Sequence, residues 1–408
     1  MVFNCDYNGL AIIQSLGRKG IDIYALDSRR SIGTFSKFSK YIKVPNPLTN
    51  EKDFIDKLID IKKDLSGKPL LMPTNDHWVE VISKNKEKLE NIYTLNCSNF
   101  DTVSLLLDKE KFAKWAADHA IITPEIWSKE EAIEKKTSLQ YPIAVKANSR
   151  RKASQNEASL EWAENADKLR YVPCDTFSEL EKTLQYAEKK DVPVFCQQVI
   201  AGRSNAMHTI GVYANNGTVH GILYGRKNKG YPADFGDCVV GEANTVPEWA
   251  ETMVVKVCKL LSYTGIAEFE VMEDSKTQKL YLIEINPRSW SWNGVSAAAG
   301  VNLALLAYND LALGKPPQAC QKSCVDSVPV IYTKILDDIQ NSLLWYRFNA
   351  PKDWVKTPRQ LYYQYKGKKI VYAEFSRDDK PIIFFSIVFS VSHFLRKSKA
   401  IIIKLLNR

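Results

Sequence analysis

The sequence predicts a chain of mixed class, α/β and α+β, in which a parallel sheet interleaved with helices is followed by antiparallel sheets and a small C-terminal extension. Three observations carry this reading. Strand-like apolar runs alternate with amphipathic helical runs over the first hundred residues; beyond about residue 140 strands follow one another through turns; and 408 residues exceed what one hydrophobic core usually supports. Two or three packed units are therefore expected. With 45% hydrophobic and 25% charged residues, the composition is that of a globular chain rather than a disordered or collagen-like one.

In chain order, a helix over 8–16 follows a truncated strand, and IDIYAL (21–26) is a strand that ends in the DSRR turn. The helical stretch 51–64 leads to the strand KPLLMP (68–73), and a helix over 77–90 leads to IYTLN (92–96). Strands separated by helices imply a parallel sheet. Residues 101–120 read as a charged amphipathic helix closed by the extended ITPEIW, where Pro124 biases Thr123 away from helix. This places the first boundary near 100 to 120.

The rhythm then changes. YPIAVKA (141–147) and VPVFCQQVI (192–200) are strands flanking a helix over 177–190, and 208–227 is a hairpin across Asn216-Gly217, a pair suited to a tight primed turn. An amphipathic helix over 248–263 precedes the strands 265–273 and 279–286, joined by the polar DSKTQ turn, and an Ala-rich helix covers 294–313. The tail carries aromatic and basic patches and the apolar run PIIFFSIVFSVSHFL (381–395), followed by RKSKAIIIKLLNR. One reading packs this run on the body as a strand and helix. The other makes it an edge touching a membrane or partner, helped by Arg396, Lys397, Lys399, Lys404 and Arg408.

Lys and Arg outnumber Asp and Glu by 56 to 47, a charge of +9 that suits phosphate-bearing ligands or an anionic surface without requiring either. A nucleic-acid module would carry a denser basic face with interleaved aromatics, so nucleic acid is not an expected partner. The N-terminus lacks the pattern of a secretory signal, and the eight cysteines are scattered, the close pair Cys320 and Cys324 having no matching pair at zinc-site spacing. Reduced thiols in a cytoplasmic protein are expected. No run reaches ~18 apolar residues, so a transmembrane helix is not indicated.

The most informative stretch is GIAEFEVMEDSKTQKLYLIEINPRSW. Side chains alternate faces along a strand, so Glu268 and Glu270 share one face, and Glu284 and Asn286 share one across the turn. Carboxylates gathered together need cations, and hard oxygen ligands are what Mg²⁺ prefers, especially with nucleotide phosphates. The competing reading is an acidic sheet face turned to solvent. Lys146, within the strand YPIAVKA, and Lys109, at the start of a helix with Lys111 as its competitor, would complement such a site.

The combination of LLLDKEKF, PIAVKA, VFCQQVIAG, GIAEFEV and LYLIEINPRSW resembles the ATP-grasp superfamily, most closely its carboxylate-amine ligases of the carbamoyl-phosphate-synthetase-like and D-aspartate-ligase-like kind. The similarity runs from the first residues to about 315. It implies a preATP-grasp α/β domain over 1–100, a two-lobed ATP-grasp domain over 101–315 (small lobe about 120–200, large lobe about 201–315) and a C-terminal accessory region over 316–408. The cofactors it implies are ATP and Mg²⁺. Glu268, Glu284 and Asn286 look like the metal ligands, with Glu270 either a substitute for Glu268 or a neighbouring group. Lys109 and Lys146 match the two lysines that contact ATP phosphates, and Gln197, Gln198, Val199 and Ile200 match the hinge that holds adenine and ribose. Arg288 resembles the catalytic arginine, while Arg226 and Lys227 resemble members of a cationic wall around the phosphates or acyl substrate.

In this family ATP phosphorylates a carboxylate and an amine attacks the acylphosphate, so small-molecule carboxylate and amine substrates are the implied partners. An amino acid or an amino-acid-bearing envelope precursor is the expected substrate, with Arg30, Asp76 and Arg288 as contacts. No residue must be a separate base; His208 is a candidate, and is as easily a hydrogen-bonding wall residue. A homodimer is allowed, as is peripheral contact of the C-terminal region with the inner face of the membrane. The sequence departs from the family in two places. NSRRKASQNEAS (148–159), where a glycine-containing covering loop is usual, has no glycine and offers Arg150, Arg151 and Lys152 instead; and Gln197-Gln198 stand where an acidic residue is common. The rival function is a nucleotide-binding regulatory protein without turnover.

Overall fold

The chain is described by a computed structural model over residues 1–148, 160–233, 236–325 and 328–391. The first sheet contains β1 (Val2–Phe3), β2 (Ile23–Asp27), β3 (Ser39–Lys43), β4 (Leu70–Pro73) and β5 (Thr94–Leu95). Its order is β3-β2-β1-β4-β5 and every pairing is parallel. The order reverses between β1 and β4, and open sheets of this type expose a crevice at such a point, beyond the strand ends. Thr74, just after β4, ties the two strand ends together there: its hydroxyl donates to the carbonyls of Phe3 (2.8 Å) and Asn4 (2.9 Å), and Asn8 Nδ2 donates to the Thr74 carbonyl at 3.0 Å.

Several helices predicted as continuous are broken, each at a capping or turn residue. The 101–120 helix is two, Phe100–Leu107 and Lys109–Asp118, because Asp108 takes an extended conformation and its carboxylate accepts the Lys111 N–H. The 77–90 helix divides at Asn85, and the Ala-rich 294–313 stretch divides at Gly300 (φ 89°) before Asn302 caps the next turn.

The second sheet contains β6 (Ile126–Trp127), β7 (Ile143–Ala147), β8 (Val172–Cys174) and β9 (Val194–Gln198) in the antiparallel order β6-β9-β7-β8. The third is the largest. It comprises β10 (Met207–Asn215), β11 (Thr218–Tyr231), β12 (Asp237–Asn244), β13 (Gly265–Glu273), β14 (Leu280–Asn286), β15 (Gln321–Lys322), β16 (Val330–Thr333) and β17 (Lys369–Tyr372). The predicted hairpin joins β10 and β11, with φ positive at both Asn216 and Gly217 as a primed turn demands. The path is β14-β13-β10-β11-β12-β16-β17, with β15 beside β11. Strands from the C-terminal stretch therefore extend the central sheet instead of forming a separate layer. Residues 380–391 are helical, where a strand and a helix were expected, and the cationic positions 396–408 lie outside the described residues.

Two apolar cores flank the large sheet. One joins the first helix (Ile12, Ile13, Leu16) to Trp290, Trp292 and the 295–307 helices; the other packs the helix Glu248–Leu260 on the opposite face. Cys5, Cys97, Cys174, Cys196, Cys238 and Cys258 are buried as thiols. Among the described residues, no helix is long and apolar enough to cross a membrane.

Candidate functional site

The antiparallel register of β13 and β14 sets Glu268 opposite Asn286 and Glu270 opposite Glu284, so all four side chains share one face in two successive rungs. Asn286 Nδ2 donates to Glu268 Oε2 at 3.1 Å. Above this acidic ladder stand four cations from four different segments. Lys109, at the first position of its helix, reaches Glu284 Oε2 at 3.0 Å, whereas its competitor Lys111 is exposed and pairs with Asp108. Lys146 on β7 donates to Gln197 Oε1 on β9 at 2.6 Å. Lys227 on β11 lies 3.9 Å from Glu270 Oε1 and donates to the Gly236 carbonyl at 3.2 Å.

Arg288 is the most tightly held of the four. Its Nε donates to Asp76 Oδ1 at 2.6 Å, Nη2 to Asn286 Oδ1 at 3.1 Å and Nη1 to the Ser289 carbonyl at 3.1 Å. The chain that leaves β14 is seated by Trp290 and Trp292, both buried. An added Cβ at Gly211, Gly225 or Gly241 would run into one of these indoles. Gly211 is opposite Glu268, and Gly241 opposite Lys227, so this glycine trough lies on the same sheet face as the acidic ladder. Missing side chains on three neighbouring strands make room for two tryptophans, and the tryptophans fix where Arg288 begins.

The electrostatics follow from burial and pairing. Glu284 is held down at about 2, chiefly by the Lys109 ammonium. Burial, then mutual repulsion with Glu270, keeps the Glu268 carboxyl well above the usual carboxylate range, and burial raises Glu270 against the pull of Lys227. Burial, with Lys109 nearby, drops the Lys146 ammonium to about 7. Burial opposes the charge on both Asp76 and Arg288, yet their pairing prevails and holds Asp76 below its ordinary value and Arg288 above.

These groups border a cavity of 1480 Å³. Lys109, Lys146, Lys227, Glu268, Glu270, Glu284, Asn286 and Arg288 all line it, as do Gln197, Gln198, Val199 and Ile200 of the predicted hinge and Arg30 of the predicted substrate wall. Gln198 Oε1 is taken by the Glu125 N–H at 3.2 Å, and the Arg30 guanidinium lies 4.4 Å from the centre of the Tyr41 ring. Two expectations fail. Arg226 does not line the cavity: it is next to Lys227 on an extended strand and so emerges on the other face, where it bonds Glu273 at 3.2 Å. His208 is on that face too, buried between the Tyr224 hydroxyl (2.7 Å) and Glu273 (3.0 Å), and reaches no cavity atom as a base. Asp76 holds Arg288 and is not itself part of the lining. The glycine-free stretch falls, from 149 to 159, outside the described residues.

Sequence reasoning missed the far end of the cavity. Lys334, Asp337 and Glu374 come from the C-terminal stretch, and Asp6 and Arg29 from the ends of the first sheet. No local pattern marks the first three. Arg29 and Asp6 carried a signal, since both follow parallel strands at their C-terminal ends.

The donor chemistry of the ladder fits Mg²⁺ held together with a nucleotide. Glu268, Glu284 and the Asn286 carbonyl are hard oxygen donors, and this ion is commonly held by one or two carboxylates plus substrate phosphates. Among the described residues, no three His, Cys, Asp or Glu side chains form a ready metal cluster by themselves.

A parallel α/β sheet leading into one antiparallel and one mainly antiparallel sheet is an arrangement typical of ATP-grasp domains. In fold and in distant sequence similarity the chain resembles ATP-dependent ligases and carboxylases of the ATP-grasp superfamily. No family model matches it. It is 24% identical over 306 residues to the D-aspartate ligase of Enterococcus faecium, covering 69% of each chain. With the carbamoyl-phosphate synthase of Methanobrevibacter smithii it shares 26% over 278 residues, 64% of this chain and 67% of the relative. In fold it is similar to the L-amino acid ligase of Bacillus licheniformis (TM-score 0.55, 18% identity, 76% and 73% of the two chains). It is also similar to the biotin carboxylase domain dimer of the Hydrogenobacter thermophilus 2-oxoglutarate carboxylase, solved with MgADP, ADP and bicarbonate (TM-score 0.57, 18%, 78% and 71%).

Proposed function

We propose that the chain is an ATP- and Mg²⁺-dependent carboxylate-amine ligase that forms an amide or peptide bond through an acylphosphate. The observation that carries this reading is the convergence of Lys109, Lys146, Lys227 and Arg288 on the Glu268/Asn286 and Glu270/Glu284 rungs. Bringing a carboxylate to a triphosphate gathers anions, and fixed cations in a partly dehydrated cavity offset that repulsion. Lys146 and Lys109 would hold phosphates, with Gln197 to Ile200 bordering the base and ribose. Mg²⁺, held by Glu268, Glu284 and Asn286, would supply charge neutralisation on the phosphates.

A substrate carboxylate oxygen attacks the γ-phosphorus and ADP leaves. An amine nitrogen then attacks the acyl carbon, phosphate departs and the amine's proton is lost. Arg288, planar and anchored by Asp76, is placed to stay with the phosphoryl group and then with the oxyanion of the tetrahedral adduct. An amino acid, or an amino-acid-bearing envelope precursor, suits the far end, where Arg29 and Arg30 would face a substrate carboxylate and Asp337 an ammonium. The relationship to a D-aspartate ligase supports the same substrate class.

ADP release from ATP with a panel of carboxylates and amines tests the reading. Glu284→Gln and Asn286→Ala should each cut Mg-dependent turnover by roughly 10²-fold or more with an unchanged circular dichroism spectrum. Normal turnover in both would refute the ladder as the site. Nucleotide binding without ADP release from any substrate pair would point to the regulatory reading.

A further inference from the structure

Lys334 has a fixed backbone and a free head. It follows β16, where Thr333 lies opposite Val240 of β12; its N–H donates to the Val239 carbonyl at 2.9 Å, and its own carbonyl accepts the Asp338 N–H at 2.8 Å. The helix that starts there, Ile335–Gln340, is locked to the sheet. Asp338 is wholly buried and accepts from Lys229 Nζ (2.9 Å), the Tyr365 hydroxyl (2.6 Å) and Gln364 Nε2 (3.0 Å), so its charge is paired and both oxygens are satisfied. Lys229 reaches it through a bulge. Lys227 lies opposite Gly241 and Lys229 opposite Val240, so Asn228 is an extra residue and the two lysines leave β11 on opposite faces. Lys227 enters the cavity, Lys229 anchors Asp338, and Lys334, one residue past Thr333, turns back to the cavity and lines it.

The cations at the acidic ladder are all engaged by side chains or carbonyls of the chain. At the far end Arg30 is packed on the rings of Tyr41 and Phe35, 4.4 and 5.3 Å from their centres. Lys334 and Arg29 differ. Among the described residues neither side chain forms an ion pair or a hydrogen bond, and the Lys334 ammonium stands 5.3 Å from the centre of the Tyr7 ring. Burial raises the Asp6 carboxyl while Arg29 and Lys334 both draw it down, so the two cations border one acid without pairing with it. Two open cations on one cavity wall suit an oxyanion. Asp337 beside them favours a carboxylate over a phosphate: an amino acid brings an ammonium for Asp337, whereas a phosphate dianion is repelled by both Asp6 and Asp337.

We propose that Lys334 and Arg29 form an anion subsite for the amino-acid substrate's α-carboxylate that takes no part in the new bond, an assignment that rests on the ligase reading and makes Lys334 a specificity-determining residue. The C-terminal stretch, through the Lys229–Asp338 anchor, then supplies part of the substrate site itself.

The test is ligand-observed NMR on the full-length protein with D- and L-aspartate, D- and L-alanine and L-lysine, each beside its α-carboxamide. At least one free amino acid should bind, and its amide about tenfold or more weakly. Lys334→Met should weaken the free acid about tenfold and erase the preference over the amide, while Lys334→Arg keeps it. Arg29→Gln, on a different sheet, should repeat the loss, and the variants' melting temperatures and ATP affinity should match the parent's. No binding by any of the five, equal binding of acid and amide, or a preference that survives in Lys334→Met overturns the proposal. Displacement of the amino acid by an equal concentration of inorganic phosphate would assign the cations to a phosphate-bearing ligand and overturn it too. ADP release is read separately: a Lys334-dependent preference without ADP release would refute ligation and keep the subsite, and ADP release with a preference independent of Lys334 would do the reverse.

Discussion

Arg288 Nε and Asp76 Oδ1 are 2.6 Å apart, although 212 positions separate them in the chain. Asp76 opens the helix that follows β4 of the parallel sheet, and Arg288 follows β14 of the large, mainly antiparallel sheet. The bond fixes a guanidinium that would otherwise swing in a wide cavity, and it leaves Nη2 on Asn286. On the proposed reaction Asp76 is thus a positioning residue. Asp76→Asn should lower kcat by about a hundredfold while changing the KM for ATP little, because the anchor is charge-assisted and the misplacement falls on the reacting centre. Steady-state ADP release checks this; an unchanged kcat would show that Arg288 needs no anchor.

A second expectation concerns Lys146. Burial, with Lys109 adding to it, holds its ammonium at about 7, so the lysine is partly neutral in the empty site at neutral pH. A triphosphate favours the charged form, so nucleotide binding takes up a proton. Above pH 7 the dissociation constant should rise by up to about tenfold per pH unit. Calorimetry in buffers of different ionisation enthalpy measures the proton directly. Lys146→Arg should remove both the uptake and the slope, and a wild type that binds with no proton uptake at pH 8 would contradict the assignment.

Glu374 yields a stability prediction with a definite sign. Burial, with Asp337 next, raises its carboxyl from an ordinary 4.5 to about 8, and its Oε2 accepts the Ile335 N–H at 3.0 Å. Between these two values the folded chain holds a proton that the unfolded chain has lost. This contribution is therefore fully present below 4.5 and is lost as pH rises towards 8. Glu374→Gln keeps an acceptor for Ile335 without the buried charge. It should be more stable than the parent at pH 8, by roughly 2–4 kcal/mol, and nearly equal at pH 5. Denaturant midpoints at the two pH values decide it; a variant less stable at pH 8 would refute the burial argument.

The acidic ladder was legible because strand alternation is strict: Glu268 with Glu270, and Glu284 with Asn286, are pairs at a spacing of two. Their mutual facing was not legible, since it depends on the register set by the DSKTQ turn and by an irregularity after Glu270. The same alternation rules out placing neighbours Arg226 and Lys227 on one wall, and only Lys227 enters the cavity. Lys334, Asp337 and Glu374 left no sequence signal because the central sheet recruits its last strands from a stretch without motif or clear periodicity. Helix breaks at Asp108, Asn85 and Gly300 are decided by single capping or turn residues within otherwise continuous amphipathic patterns.

Gly211 tests how the scaffold aims the site. It lies opposite Glu268 on β10, and the space above it is filled by the Trp290 indole, two residues after Arg288. An added methyl group there overlaps the ring, so Gly211→Ala must displace either a buried tryptophan or the strand. The cost should be about 1–3 kcal/mol, the range for overpacking a close-packed core. Because Trp290 seats the segment that carries Arg288, kcat should fall together with stability, and the tryptophan emission should shift. Gly211→Ala/Trp290→Phe exchanges the indole for a smaller ring and should recover most of the lost stability. If Gly211→Ala alone melts with the parent, the indole is free to move, and the tryptophan seat does not position the arginine.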